Sequence, residues 1–276
     1  MFHNVQDRSL APDRKTIRRH LELLFAGTRT EYANGLAEIA WSDNTGNLNQ
    51  ARMYPVTPEG LDAATEHAAQ VNSTGSNCYA GVNLRKPGTP DKRANGESIE
   101  ICFFNFVDLD DDNAVGALRE RSAGMPATWA VLTGSHPTKR LHAYWELDEP
   151  VRNLNAWQQQ QEALAVHFEG DSVIDPPRVL RLAGTISFPS TKKTERGYRT
   201  ELVTLLEDPD RDPIPAHKLA TAYPLATQQP VAATSKTPSF NLPKSLGLGK
   251  FDMDTCLTEI AAGRNLHNHA CALAAH

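Results

Sequence analysis

Apolar residues recur along the chain in two rhythms, and each rhythm predicts its own kind of element. Ile17, Leu21, Leu24 and Phe25 fall three or four residues apart, the stripe of a helix over 16–25 that Asp13 can cap and Gly27 can end. Residues 36–42 and 51–54 flank the turn-rich SDNTGN and predict a hairpin. Thr57 or Pro58 then opens a helix whose core runs over 61–71. Further strands are expected at 78–84, 101–110, 128–133, 141–147, 179–181 and 199–206, helices at 114–122 and 155–169, and a polar loop rich in Gly, Pro and Lys at 85–98. Helices mixed with strands in this order predict an α+β fold, with a mixed or antiparallel sheet and flanking helices, rather than a doubly wound one.

The rhythm stops after 210. The stretch 211–250 is dense in Pro, Ser, Thr and Ala, including LATAYPLATQQPVAATSKTPSFNLP, and reads as a flexible linker. Residues 251–276 look helical again but end without a terminator, so they are expected to be the start of a truncated helical domain. Cys78, Cys102, Cys256 and Cys271 show no C-x-x-C spacing, which points away from a zinc ribbon or a disulfide framework. MFHNVQDRSL lacks the blocks of a signal peptide, and no stretch approaches the roughly 20 apolar residues of a bilayer span. A cytoplasmic chain without a membrane partner is therefore expected. The net charge of −5 argues against a surface that wraps nucleic acid. Its distribution says more: over 176–199, Arg178, Arg181, Lys192, Lys193, Arg196 and Arg199 stand against Glu195 alone.

Three segments carry candidate chemistry. ICFFNFVDLDDDNA ends an apolar strand with Asp108 and Asp110 two residues apart, on one face at the strand period, so both can reach a hard cation through oxygen. LHAYW places His142 on a second strand, and Asp171 follows a helix, with Arg178 and Arg181 downstream. Carboxylates holding divalent ions against phosphate oxygens, beside guanidinium forks and an imidazole N–H, are the parts of nucleotidyl transfer. Each part alone has a plainer reading. Aspartates at a strand end form turns or face solvent, and sugar-nucleotide transferases share D-x-D. Asp111 and Asp112 read as turn or cap residues, His142 as an ordinary strand histidine, and the arginines as surface ion-pair partners.

In combination and order, these segments resemble the RepB-type primases of plasmids and phages, within the archaeo-eukaryotic primase (primase-polymerase) superfamily, over about 16–206. The resemblance implies a primase-like catalytic domain at 1–210. FVDLD is similar to the family's first motif, whose acids bind the catalytic metals, two Mg²⁺ or Mn²⁺ ions; this carries over to Asp108 and Asp110. TGSHPTKRLHAYW resembles the second, so His142 would contact the nucleotide phosphates, with Ser135, Lys139 and Arg140 assisting. GDSVIDPPRVLRLAGTISFPSTKK resembles the third, which makes Asp171 the third metal carboxylate, with Asp175 as its rival, and Arg181 the triphosphate contact beside Arg178. Ala183 and Ser187 depart from the proline and asparagine common in the family. Lys192, Lys193 and Arg196 would face the template.

The implied activity is template-directed synthesis from NTPs or dNTPs on single-stranded DNA in plasmid, phage or mobile-element replication. IAAGRNLHNHACALAAH resembles the opening of the helical domain that precedes a helicase in fused relatives. Two rivals stand: a metal-dependent nuclease, built from the same residue types, and a non-catalytic module that binds a replication origin.

Overall fold

The computed structural model describes residues 10–25, 32, 34–43, 45–110, 114–122, 124–207, 210 and 212–225. In chain order the elements are α1 (Arg14–Phe25), β1 (Leu36–Ser42), β2 (Leu48–Pro55), α2 (Pro58–Ser73), β3 (Cys78–Gly81), β4 (Cys102–Leu109), α3 (Ala114–Arg121), β5 (Trp129–Gly134), β6 (Arg140–Val151), α4 (Leu154–Phe168), β7 (Val179–Arg181), β8 (Ile186–Ser187), α5 (Thr191–Glu195), β9 (Glu201–Leu202), β10 (Thr204–Glu207) and α6 (Ala216–Ala222). The fold is α+β. Two antiparallel four-stranded sheets, ordered β2-β1-β3-β7 and β10-β5-β6-β4, are flanked by helices, and β8 pairs with β9.

Local chemistry starts the helices where the sequence expects. Asp13 Oδ1 accepts from the N–H groups of Lys15 and Thr16 at 3.0 and 3.3 Å, and Thr57 Oγ1 accepts from Gly60 N–H at 3.1 Å, with Pro58 in the first turn of α2. Ile17, Leu21, Leu24 and Phe25 are buried on α1 as the spacing requires. They enter a core with Ile39, Phe104, Phe106, Trp129, Tyr144, Trp157 and Leu182. A second cluster, built around Val107, Trp145, Phe168, Leu219 and Tyr223, lies where α4 and α6 pack. Strand β4 feeds both clusters from its two faces, so its sequence is an apolar run rather than an alternation.

The differences from expectation have physical causes. The closing strand expected at 199–206 divides at Val203, which is fully buried and exchanges hydrogen bonds of 2.8 Å with Thr185 O and Gly184 N–H. The RLAGT segment is held against α1: Gly184 has φ +83°, Asp13 N–H donates to its carbonyl at 2.7 Å, and a Cβ there would stand 2.6 Å from Asp13 O. Ordered structure also reaches into the segment read as linker, because Leu219 and Tyr223 are buried around α6. The remainder of that segment, the helical start at 251–276 and the helix stop at Gly27 lie outside the described residues. No described helix is long and apolar enough to cross a membrane.

Candidate active site

The two sheets bring their functional side chains to one cavity of about 250 Å³. The acids come from the second sheet. Asp108 stands at the end of β4 directly opposite His142 on β6, and His142 Nε2 lies 3.5 Å from Asp108 Oδ1. Both side chains line the cavity, as does the exposed Asp110. Asp171 does not line it, but its N–H donates to Asp108 O at 2.9 Å, which ties the segment after α4 to the acid strand.

Burial, then the negative charges of Asp110 and Asp171, push the Asp108 carboxyl up to about 7 against the pull of Arg181 and Arg178. Burial, then Arg181 and His20, hold His142 down at about 3, so its imidazole is neutral. Asp108 Oδ1 and His142 Nδ1 are buried without a hydrogen-bond partner. A buried carboxylate oxygen with no donor, in a field made more negative by two other acids, is a place where a cation lowers the energy.

The basic side chains line the rest. Arg178, Arg181, Arg140, Lys193 and Arg199 line the same cavity as the two acids, five positive groups to two negative, which suits a polyanion. Arg181 is aimed by Asn77 Oδ1, to which it donates at 2.8 Å, and by the Tyr79 ring 5.3 Å away. Arg178 pairs with Asp175. Asp171, by contrast, meets Asp108 through its backbone N–H.

Arg140 donates to the carbonyls of His136 and Thr138 at 2.6 and 3.1 Å and lies 4.2 Å over the Tyr198 ring. The N–H groups of Ser135 and His136 are both taken by Glu201 Oε2, at 2.9 and 3.2 Å. Ser135, Lys139, Lys192 and Arg196 lie outside the cavity lining; Lys139, Lys192 and Arg196 are exposed.

Tyr79, Tyr198 and Thr133 line the cavity without having been singled out in the sequence, while Arg199 stood there only as part of the basic run and Ser187 only as a departure from the family pattern. Tyr198 had the best available signal, an aromatic inside the basic run 192–199. Its ring also sits 5.2 Å from Lys193 Nζ and 5.5 Å from the Arg196 guanidinium.

None of the known protein families or curated proteins compared with the chain matches it by sequence. Solved structures do. The AEP domain of the cyanophage S-2L primase-polymerase (PrimPol) is 22% identical, with a TM-score of 0.54 over 78% of this chain and 100% of that one. The chain has the fold of that domain. Weaker likenesses extend to primase RepB′, 16% identical with a TM-score of 0.48 over 75% of this chain and 62% of that one. The catalytic domain of RepB′ in complex with initiator DNA is 17% identical, with a TM-score of 0.46 over 76% of this chain and 94% of that one.

Among the described residues no group of three or more His, Cys, Asp or Glu side chains converges closely enough to hold a metal ion. The donor types nonetheless suit a hard cation: they are all oxygen, with Asp108 Oδ1 unpartnered and Asp110 and Asp171 exposed.

Proposed function

We propose that this chain is a metal-dependent primase-polymerase of the RepB type, which extends or initiates DNA-templated strands by nucleotidyl transfer. The observation that carries this reading is what one cavity gathers: Asp108, whose Oδ1 has no hydrogen-bond partner, together with Arg140, Arg178, Arg181, Lys193 and Arg199. Carboxylates alone would suit many metal enzymes. Five basic groups lining the same cavity suit a substrate that brings its own negative charge, a nucleoside triphosphate. The fold shared with a primase-polymerase domain supports the same reading.

Asp108, Asp110 and Asp171 would hold two Mg²⁺ or Mn²⁺ ions, which when bound supply Lewis-acid activation of the 3′-hydroxyl and neutralisation of the phosphates. The chain's own residues do the rest. Arg181 and Arg178 clamp the triphosphate oxygens, and Arg140, stacked on Tyr198 and aimed by two carbonyls, holds the leaving pyrophosphate with Lys193. The neutral imidazole of His142 offers a single N–H to a phosphate oxygen without adding charge beside Asp108. Lys192 and Arg196, exposed next to the cavity, hold the backbone of the single-stranded template. Residues 251–276, which by sequence resemble the opening of a domain that precedes a helicase, would lead to a helicase or other replication partner.

The test uses purified protein, labelled nucleotides, Mg²⁺ or Mn²⁺, and single-stranded DNA with and without a primer. The expected result is new oligomers on the unprimed strand that disappear with the Asp108→Ala/Asp110→Ala double variant. Extension of the primed strand alone would make it a polymerase that depends on a primer. No incorporation on either strand would overturn the proposal, and shortening of the DNA would make it a nuclease.

A further inference from the structure

The acid strand lies at a sheet edge. In the order β10-β5-β6-β4 only β6 pairs with β4, so the backbone groups along its other side have no strand partner. Open edges are costly, and here side chains and one loop close the gap. Trp157 Nε1 donates to Phe104 O at 2.8 Å. One turn further along α4, Gln161 Oε1 accepts from Phe106 N–H at 2.9 Å and Gln161 Nε2 donates to Phe106 O at 2.8 Å, the exchange that a neighbouring strand residue would make. At the strand end Asp171 N–H completes the row on Asp108 O.

Gln161 does more than seal the edge. Its Oε1 also accepts from Asn105 Nδ2 at 2.9 Å, and its Nε2 donates a second hydrogen bond to Val173 O at 3.2 Å. Both amide hydrogens and both carbonyl lone pairs are therefore used, in a residue that is 0% exposed. Val173 N–H in turn donates to Asp171 O at 2.8 Å. Gly170 passes so close to β4 that a Cβ there would stand 2.8 Å from Asp108 O. One buried amide thus grips the acid strand with one set of atoms and the segment that bears Asp171 with another.

We propose that Gln161 is a positioning residue: its amide locks segment 171–173 onto β4 and so sets how closely the Asp171 and Asp108 carboxylates can approach a shared divalent cation. This rests on the reading of those acids as the metal site. An apolar residue would pack in the same place, but it would leave Phe106 and Val173 with unmet backbone groups and free the Asp171 segment to shift.

The test is Mn²⁺ binding to the full chain, followed by the loss of the free-ion paramagnetic resonance signal, for wild type, Gln161→Leu, Gln161→Glu and Asp108→Ala, each below its unfolding midpoint. The expected result is binding about tenfold weaker in Gln161→Leu, the effect typical of a lost support behind a metal ligand. Half-maximal synthesis should move to about tenfold higher Mn²⁺, while the rate at saturating Mn²⁺ is retained. A purely structural role would lower the amount of active protein and leave the Mn²⁺ dependence in place.

If Gln161→Leu does not fold, Gln161→Glu, which keeps the acceptor but loses the donor to both Phe106 O and Val173 O, should show the same shift. Wild-type Mn²⁺ affinity in a folded Gln161 variant overturns the inference, and failure of both variants to fold overturns it too, by assigning the amide to the core alone. Wild-type affinity in Asp108→Ala overturns instead the reading of the acids as the metal site, and the role of Gln161 falls with it.

Discussion

Two acidic groups in this molecule, the buried Glu38 and the partly buried Asp108, are treated in opposite ways. Glu38 and Arg85 are both fully enclosed, and every part of the pair is matched: Arg85 Nε donates to Glu38 Oε2 at 2.7 Å, and the other guanidinium nitrogens to Asn83 O at 2.6 Å and Pro177 O at 2.8 Å. Arg93 and Ala94 N–H serve the second Glu38 oxygen. In the cavity, Asp108 Oδ1, His142 Nδ1 and Arg178 Nε are buried with no partner. A saturated network spends its polar groups on the fold, while unsaturated groups that line an open cavity are available to something that enters it. The two meet at the chain itself, since Arg85 anchors the carbonyl of the residue before Arg178.

The largest effect should come from breaking the saturated side. Arg85→Leu strands Glu38 in the interior with Arg93 as its remaining charged partner, and should cost about 3–5 kcal/mol in denaturant unfolding. Asp108→Asn provides the contrast. Synthesis should fall by at least about a hundredfold, as for loss of a group that stabilises transition-state charge, while the unfolding midpoint stays at or above that of wild type because an unpaired buried carboxylate has been removed. A stability loss in Asp108→Asn comparable to that of Arg85→Leu would erase the distinction.

His20 sharpens it at intermediate size. Its Nδ1 accepts from Ala183 N–H at 2.9 Å, its Nε2 has no partner, and Trp129 and Tyr144 pack against its ring with His142 nearby. Burial holds it at about 3 rather than 6.5, so the unfolded chain takes up a proton that the folded chain refuses. Stability from this source is complete above pH 6.5 and is lost as pH falls toward 3, by about 1.4 kcal/mol per pH unit. His20→Gln, which keeps an acceptor for Ala183, should remove the His20 share of the slope in calorimetry between pH 6.5 and 4 and leave that of His142. The smallest effect is expected for Tyr198→Ala: losing the ring beneath Arg140 and Lys193, worth about 0.5–1 kcal/mol, should raise the nucleotide KM about two- to fivefold and leave kcat nearly unchanged.

Much of this was legible in the chain because its causes are local. Asp13 and Thr57 cap the helices whose stripes they precede, ICFFNFVDLD is a strand that delivers Asp108 to its end, and the basic run 178–199 supplies the cationic wall. Other features were hidden because their partners are distant. Arg85 opens a stretch that reads as a polar loop, yet it is buried against Glu38, 47 residues away. Gln161 looks like one of four successive glutamines, and only the approach of β4 separates it from Gln158, Gln159 and Gln160. Asp171 and Asp175 stood as rivals in the sequence, and only the fold pairs Asp175 with Arg178 and brings the Asp171 backbone N–H to the Asp108 carbonyl.

The sequence by itself therefore determined which elements form and which residue types are available for chemistry, since capping, periodicity and charge clustering depend on near neighbours. The tertiary structure decided which polar groups are spent and which are left open. That choice depends on burial and on partners brought from far along the chain, and it separates the matched ion pair at Glu38 from the waiting carboxylate at Asp108.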